Sequence, residues 1–507
     1  MEKIDVVKHI LRNVENVVAG EGCAWAPANV ALCKYWGKRN VSLNLPVTSS
    51  LSLSLGKKGT FTKIAHAPKS DDFWLNGATV PMNSSFALRL QKFLDLFRGK
   101  DIYYRVETES TVPVSAGFAS SASGFAALIL ALNNLYAWNL PKKDLSILAR
   151  LGSGSACRSL WHGFVEWQKG DLANGMDSHG IPLPDIWPEL RVGVLCFDQS
   201  PKKISSTLAM QLTVETSSLY SAWHSRVYDD LRLLKQALLD HDFELLGRIA
   251  EGNARAMHAV MSAAQPPIVY SISETFQARH QVWEVRKAGI PVFFTQDAGA
   301  NLQLLFLAKD EREIAAVFPK VEVIAPFPDY RAEQVILVND QDVEIGIEEK
   351  LLAHVQGKLH RAFSVFIARK NHGKIELLLQ QRNVMKYHSG GLWSNACCGH
   401  PRPGESVIAG AKRRLREEMG IDVELKDIGS FCYRAQLDAN MIEHELDHVL
   451  IGEFCGQTIV PDADEVQNYK WESLPWVQQE LRYSPYKYST WLAPALMLAS
   501  NDLYRYA

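Results

Sequence analysis

At 507 residues the chain is too long for one ordinary domain and predicts two to four. Its composition, 47% hydrophobic and 22% charged, is that of a globular protein with a large core. The 54 Lys and Arg against 56 Asp and Glu leave a net charge of −2, which excludes whole-chain affinity for nucleic acid or acidic membranes but not a local basic pocket.

Residues 1–20 place Ile4, Val7, Leu11, Val14 and Val18 at helical spacing, so an amphipathic helical extension is expected. The same stretch lacks the layout of a signal peptide. The longest apolar run, residues 125–132, falls well short of the ~18 residues of a membrane span. The eight cysteines are scattered without a CxxC pair, so no disulfide framework is expected and the location reads as cytoplasmic.

From residue 21 to about 335, short strand-like runs alternate with helical ones. The runs are 49–55, 86–97, 123–138, 192–197, 213–241 and 292–295, a mixture of α/β and α+β character without internal repeats. A stretch with Pro319, Pro326 and Pro328, followed by acidic residues 340–349, predicts a domain boundary near 333–345. Beyond it, residues 363–369 and 375–382 flank an Asn371–Lys374 turn, and a strong helix over 406–419 ends at Gly420. The expected organisation is an extension (1–20), a first domain (21–335) and a second (336–507).

Three segments of the first domain carry chemistry. Residues 26–39 crowd Lys34, Tyr35, Lys38 and Arg39 beside Gly37. Residues 113–124 place small residues, with Ser120 and Ser121, before an apolar helix, where backbone N–H groups and the helix dipole favour a phosphate. Residues 152–159 form a hydroxyl-rich loop ending on Arg158, suited to a carboxylate or phosphate.

Together with residues 202–207 (KKISST) and 295–299 (TQDAG), these segments resemble the GHMP small-molecule kinase superfamily and its mevalonate diphosphate decarboxylase branch. The resemblance spans residues 22–330. It implies a GHMP-kinase fold, with a ribosomal S5 domain 2-like part followed by the GHMP C-terminal domain. It also implies ATP with Mg²⁺ as co-substrate, its phosphates on Ser120 and Ser121. Asp297 would act on the tertiary hydroxyl, with Lys34 beside it holding it ionised or neutralising developing charge. Arg158 would orient the substrate carboxylate, and Tyr35, Lys38, Ser155 and Ser206 would hold its diphosphate. Ala300 and Phe118 stand where the family more often has Pro and Leu.

In the second domain, Gly399, Glu405, Arg413, Arg414, Leu415, Glu417, Glu418 and Gly420 resemble the Nudix signature, except that Arg414 replaces a glutamate. An arginine there binds phosphate but cannot ligate metal, which favours binding of an intact diphosphate over its hydrolysis. Residues 349–354, 359–366, 393–401, 431–435 and 443–445 resemble type 1 isopentenyl diphosphate isomerase, a Nudix-type α/β/α sandwich. The resemblance implies Cys398 and Glu445 as the acid–base pair on opposite faces of the alkene, with Tyr433 assisting Glu445. It implies His354, His360, His400, Glu443 and Glu445 as ligands of a divalent metal (Zn²⁺, Mn²⁺ or Mg²⁺). A Mg²⁺ would be held through Glu418, with Lys350, Arg382, Lys386 and Arg414 gripping the diphosphate and Trp491 facing the cation. Cys397 adds a second thiol without an assigned role.

The expectation is a bifunctional enzyme making isopentenyl diphosphate from mevalonate 5-diphosphate and isomerising it to dimethylallyl diphosphate. Its partners would be these small molecules, with no nucleic acid or membrane; a homodimer is compatible with the sequence. The alternative is a mevalonate-monophosphate decarboxylase, or a small-molecule kinase joined to a Nudix hydrolase. A non-catalytic scaffold of enzyme ancestry is the third reading.

Overall fold

Two long antiparallel strands, Glu21–Cys33 and Ser50–Ala67, form the spine of the first part of the chain. The computed structural model describes residues 2–14, 18, 20–112, 120–200, 202–327, 334–383, 386, 389–437, 441–462 and 465–505. It divides into two compact units, Met1–Pro328 and Asp329–Ala507.

In the first unit the Ser50–Ala67 strand is central to a seven-stranded sheet. Register shifts between Pro27 and Asn29 and between Ala31 and Cys33 bend the neighbouring strand, as bulges do, just before the KYWGKR segment. The apolar helix Ser120–Leu135 packs its Ala126, Ile129 and Leu132 into one core with Ala24, Ala26 and Ile64. A second, four-stranded sheet runs Phe293–Thr295, Leu302–Leu307, Leu190–Leu195 and Glu322–Ile324. Its strand Phe293–Thr295 leads directly into the TQDAG loop.

Two expected helices differ in extent. The N-terminal one covers Lys3–Leu11 and seats Val6 and Val7 in the core, while Val18 is exposed. The run expected over 213–241 is two helices, Ser206–Thr216 and Trp223–Leu239. Ser217 breaks it with an extended backbone (ψ 120°), and Thr216 turns its hydroxyl back onto the Leu212 carbonyl.

The second unit is a nine-stranded sheet between helices. Strand His360–Asn371 lies at its centre, parallel to Ile442–Glu453 and antiparallel to Lys374–Arg382 and Cys397–Gly399. The alternation along the central strand is visible in its packing. Phe363, Val365 and Ile367 meet Ala411, Leu415 and Met419 of helix Val407–Met419. Phe366 and Ala368 meet Leu474, Val477, Leu492 and Ala495 on the other face. Both faces are covered, which explains the unbroken apolar run over 365–368.

The acidic stretch over 340–349, expected at a boundary, is folded instead. Strand Gln334–Val338 pairs with Glu344–Glu349 and joins the second sheet, Ile336 opposite Ile347. The unit boundary therefore lies a few residues before the expected 333–345. Among the described residues, no helix is long and apolar enough to cross a membrane.

Candidate active sites

In the first unit, Lys34 follows the last residue of strand Glu21–Cys33 and is buried. Its Nζ donates to Asp297 Oδ1 at 2.6 Å and to the Ala31 carbonyl at 2.8 Å. Several contacts hold this pair. The Lys34 amide donates to Asn253 Oδ1 (2.7 Å), and Thr295 Oγ1 donates to the Ala31 carbonyl (3.1 Å), which ties the Asp297 strand to the lysine strand. His258 Nε2 lies 3.1 Å from the Asp297 carbonyl; burial lowers its pKa to about 3, so it is a neutral donor. Burial also lowers the Lys34 pKa, and the Asp297 carboxylate opposes that shift.

Gly37 is required where it stands. At φ 116° a Cβ would fall 1.8 Å from the Tyr220 hydroxyl, which donates to the Trp36 carbonyl. Tyr35 packs edge-on against Trp167, and its buried hydroxyl has no hydrogen-bond partner among the described residues. Arg158, 3% exposed, donates from Nη1 to Ser50 Oγ at 2.6 Å and makes no ion pair with a described carboxylate.

Lys34, Tyr35, Lys38, Ser121, Ser155, Arg158, Ser206 and Asp297 all line one cavity of about 890 Å³. Ser121 Oγ lies 3.3 Å from Ser153 Oγ. Ser120 opens the helix Ser120–Leu135; residues 113–119, including Phe118, lie outside the described residues. The carbonyl of Ala300, the other departure, accepts from Thr275 Oγ1 at 2.6 Å. The cavity also receives Lys202, which opens the KKISST segment, and Lys3 and Arg89, which the sequence did not single out. Arg89 sits in a polar-looking helix face, and no local signal separates it from a solvated arginine.

In the second unit, three imidazoles and a carboxylate converge. One ligand atom from each of His354, His360, His400 and Glu445 lies within 4.8 Å of the others. His354 Nδ1 lies 2.6 Å from the Lys350 carbonyl and His360 Nδ1 2.8 Å from the Lys358 carbonyl. Those contacts assign the ring protons to Nδ1 and turn the Nε2 lone pairs inward. His360 Nε2 is then 3.2 Å from His400 Nε2, and His400 Nε2 is 2.8 Å from Glu445 Oε1. Converging imidazole lone pairs beside a carboxylate fit a divalent cation. Glu443 joins through His354, with Oε2 and Nε2 3.1 Å apart. Burial drives the His400 pKa down to about 3, which keeps its imidazole neutral. Burial would raise Glu445, but His360 and His400 outweigh it and hold the carboxyl well below the usual range.

The remaining residues face the same cavity, of about 110 Å³, lined by Lys350, Arg382, Lys386, Cys398, Arg414, Glu418, Glu443, Glu445 and Trp491. Tyr433 Oη donates to Glu445 Oε2 at 2.6 Å. Arg382 Nη1 lies 3.5 Å from Cys398 Sγ, and its guanidinium stacks 5.3 Å from the Trp491 ring centre. Trp491 is fixed by its indole N–H, which donates to Ser394 Oγ at 3.1 Å. Burial pushes the Cys398 thiol up to about 12, so it is protonated at neutral pH. Glu418 pairs with Arg414 and accepts from Gln380 Nε2 at 2.9 Å. Arg414 also reaches Glu417 at 3.0 Å and Glu465 at 3.2 Å, and Glu465 in turn pairs with Lys386.

Asp447 was missed. It continues the period-two series of Glu443 and Glu445 on their strand, is 1% exposed, and accepts from Ser364 Oγ at 2.8 Å. Burial, with Glu445 adding to it, holds its carboxyl well above the usual range.

Fold and sites define a GHMP-kinase-type unit followed by a Nudix-type unit. Residues 26–180 match the diphosphomevalonate decarboxylase-like N-terminal domain and 192–369 the mevalonate 5-diphosphate decarboxylase C-terminal domain. Residues 358–492 match the NUDIX domain. The diphosphomevalonate decarboxylase of Candida albicans is 33% identical over 313 residues, 58% of this chain and 86% of that one. The isopentenyl-diphosphate Delta-isomerase 1 of Aromatoleum aromaticum is 51% identical over 160 residues, 32% of this chain and 88% of that one. A solved mevalonate diphosphate decarboxylase from Enterococcus faecalis is 37% identical with a TM-score of 0.56, over 60% of this chain and 96% of that one. A further solved structure with the same figures is in complex with MVAPP, AMPPCP and magnesium. The chain belongs to the diphosphomevalonate decarboxylase family over its first unit and to the isopentenyl-diphosphate isomerase family over its second.

Proposed function

We propose that the first unit converts mevalonate 5-diphosphate and ATP into isopentenyl diphosphate, ADP, phosphate and carbon dioxide. The second unit interconverts isopentenyl and dimethylallyl diphosphates. The observation that carries the reading is that each cavity holds its own proton-handling group with a partner: Asp297 with Lys34 in one, and in the other Cys398 beside Arg382 and Glu445 hydrogen-bonded by Tyr433. The product of the first reaction is the substrate of the second, which makes the fusion chemically coherent.

In the first reaction Asp297 orients the tertiary hydroxyl and receives its proton as the γ-phosphoryl group arrives. The buried Lys34 ammonium balances the charge. Arg158, without a carboxylate partner among the described residues, orients the substrate carboxylate. The 3-phosphate then leaves as the C–C bond to carbon dioxide breaks, and that electron pair forms the alkene. Ser120 and Ser121 hold the ATP phosphates; Tyr35, Lys38, Ser155 and Ser206 hold the diphosphate. The magnesium nucleotide analogue held together with MVAPP by a solved relative supports Mg²⁺·ATP as co-substrate.

In the second reaction one group delivers a proton to the alkene and the other removes one from the allylic position. Cys398 is a thiol at neutral pH, and Arg382 beside it lowers the cost of the thiolate left when the proton departs. Glu445, hydrogen-bonded by Tyr433, is the base or its conjugate acid. Trp491 presents an aromatic face to the tertiary cation. Lys350, Arg382, Lys386 and Arg414 face the diphosphate, with Glu418 for its Mg²⁺. His354, His360, His400, Glu443 and Glu445 would hold a divalent ion, whose charge when bound offsets the buried carboxylates. Three imidazoles with two carboxylates suit zinc or another transition metal better than hard magnesium there.

A cytoplasmic location is part of this reading, from eight cysteines scattered through the sequence without a paired spacing. Incubation of the chain with mevalonate 5-diphosphate, ATP and Mg²⁺, followed by mass and NMR analysis, tests the reading. A mixture of isopentenyl and dimethylallyl diphosphates is expected. Isopentenyl diphosphate alone with the metal site filled would refute the second assignment, and no turnover would refute the first.

A further inference from the structure

We propose that Lys3, carried by the N-terminal helix, completes with Lys38 and Arg89 a cationic seat for the terminal phosphate of a diphosphate ester, and so determines substrate specificity in the first unit. The inference rests on the decarboxylase reading and adds to it a residue upstream of the matched family domain, which begins at residue 26.

All three cations line the cavity that contains Asp297. Their polar contacts are with neutral oxygens. Lys3 Nζ donates to the Leu151 carbonyl (2.7 Å), Lys38 Nζ to Asn44 Oδ1 (2.8 Å) and Arg89 Nη2 to the Gly152 carbonyl (2.9 Å). None forms an ion pair with a described carboxylate.

One helix end organises the group. Leu151 and Gly152 close the helix Lys142–Gly152, where carbonyls lack intrahelical partners and the dipole is negative. Asn44 ties the Lys38 arm to the same end, its Nδ2 donating to the Arg150 and Leu151 carbonyls at 2.9 and 3.2 Å. These carbonyls occupy one donor on each side chain and leave the other N–H groups for a ligand.

The N-terminal helix is built to deliver its lysine. Val6 (0% exposed) and Val7 (3%) pack into the core with Leu43, Leu148 and Leu151, so the first turn is pinned beside the helix end that Lys3 touches. Three like charges gathered this closely repel one another. The Lys38 pKa falls to about 8, through burial first and then Lys3 and Arg89. A polyanion relieves that repulsion, whereas a single carboxylate or a neutral ligand relieves little of it.

Such a seat could take the substrate diphosphate or the nucleotide phosphates, and steady-state kinetics of the full chain separates them. The variants are Lys3→Met, Lys3→Arg and, as a control, Lys8→Met at an exposed position of the same helix. Lys3→Met is expected to raise KM for mevalonate 5-diphosphate by about tenfold, the loss of one charge-assisted contact, with kcat, KM for ATP and Tm little changed. Lys3→Arg should restore most of the affinity, and Lys8→Met should match the parent. A rise confined to KM for ATP would overturn the assignment in favour of the nucleotide. An unchanged KM, or a loss that tracks a fall in Tm and is not rescued by arginine, would reduce Lys3 to a docking residue. If the parent chain does not turn over, the decarboxylase reading fails first. Calorimetric binding of inorganic pyrophosphate then still decides the seat, since Lys3→Met should weaken it by the same factor.

Discussion

Cys397 and Cys398 are adjacent in sequence and face opposite sides of strand Cys397–Gly399. Cys397, opposite Val365, is fully buried in the core with Ala396, Ala411 and Leu415. Cys398, opposite Ser364, lines the cavity with Glu445 and Trp491. The strand's two-residue period makes one thiol structural and leaves the other facing the site.

Cys398→Ala is therefore expected to abolish isomerisation, and Cys397→Ala to preserve it at a stability cost of about 1 kcal/mol from the small void. NMR conversion of isopentenyl diphosphate and thermal melting of both variants check this. Isomerase activity that survives Cys398→Ala but not Cys397→Ala would reverse the assignment.

Asp297→Asn should lower decarboxylation ~10²–10⁴-fold, the usual worth of a positioned acid–base group, and leave isomerisation unchanged. Separate assays on mevalonate 5-diphosphate and on isopentenyl diphosphate read the two effects. Loss of both in a folded variant would contradict independent sites.

The pH profile of substrate affinity follows from Lys38, with Lys3 and Arg89 as its charged neighbours. Its pKa of about 8 means that the ammonium is present below pH 8 and lost above it. KM for the diphosphate substrate should therefore rise as pH increases through 8, after correction for ATP saturation. Lys38→Arg should flatten that rise, because a guanidinium stays charged across the range.

His360→Ala removes a ring whose Nε2 lies 3.2 Å from that of His400. The variant should lose bound divalent metal, read by elemental analysis, together with isomerisation, while decarboxylation with Mg²⁺·ATP persists. Full metal content in the folded variant would remove His360 from the ligand set.

Local chemistry was legible in the chain itself. The hairpin after residue 360 turns at His372 (φ 46°) and Gly373 (φ 75°), and the helix Val407–Met419 starts on a Ser406 cap and stops at Gly420 (φ 68°). Each depends on neighbours within a few residues, so the sequence alone determined it. The Glu443–Glu445 alternation likewise placed both carboxylates on one strand face. Tertiary structure decided the meetings. His354 and His360 have no periodic relation, yet their ring centres lie 4.7 Å apart, because Gly357 (φ 61°) ends one helix and the chain turns back into a strand. Lys3 and Arg89 come from separate helices and meet at the carbonyl end of a third. Acidic residues 340–349 read as marking a domain boundary because their charges are local; the sheet edge that recruits them is not. Backbone preference is set by adjacent residues, whereas convergence of side chains is set by which distant surfaces the core brings into contact.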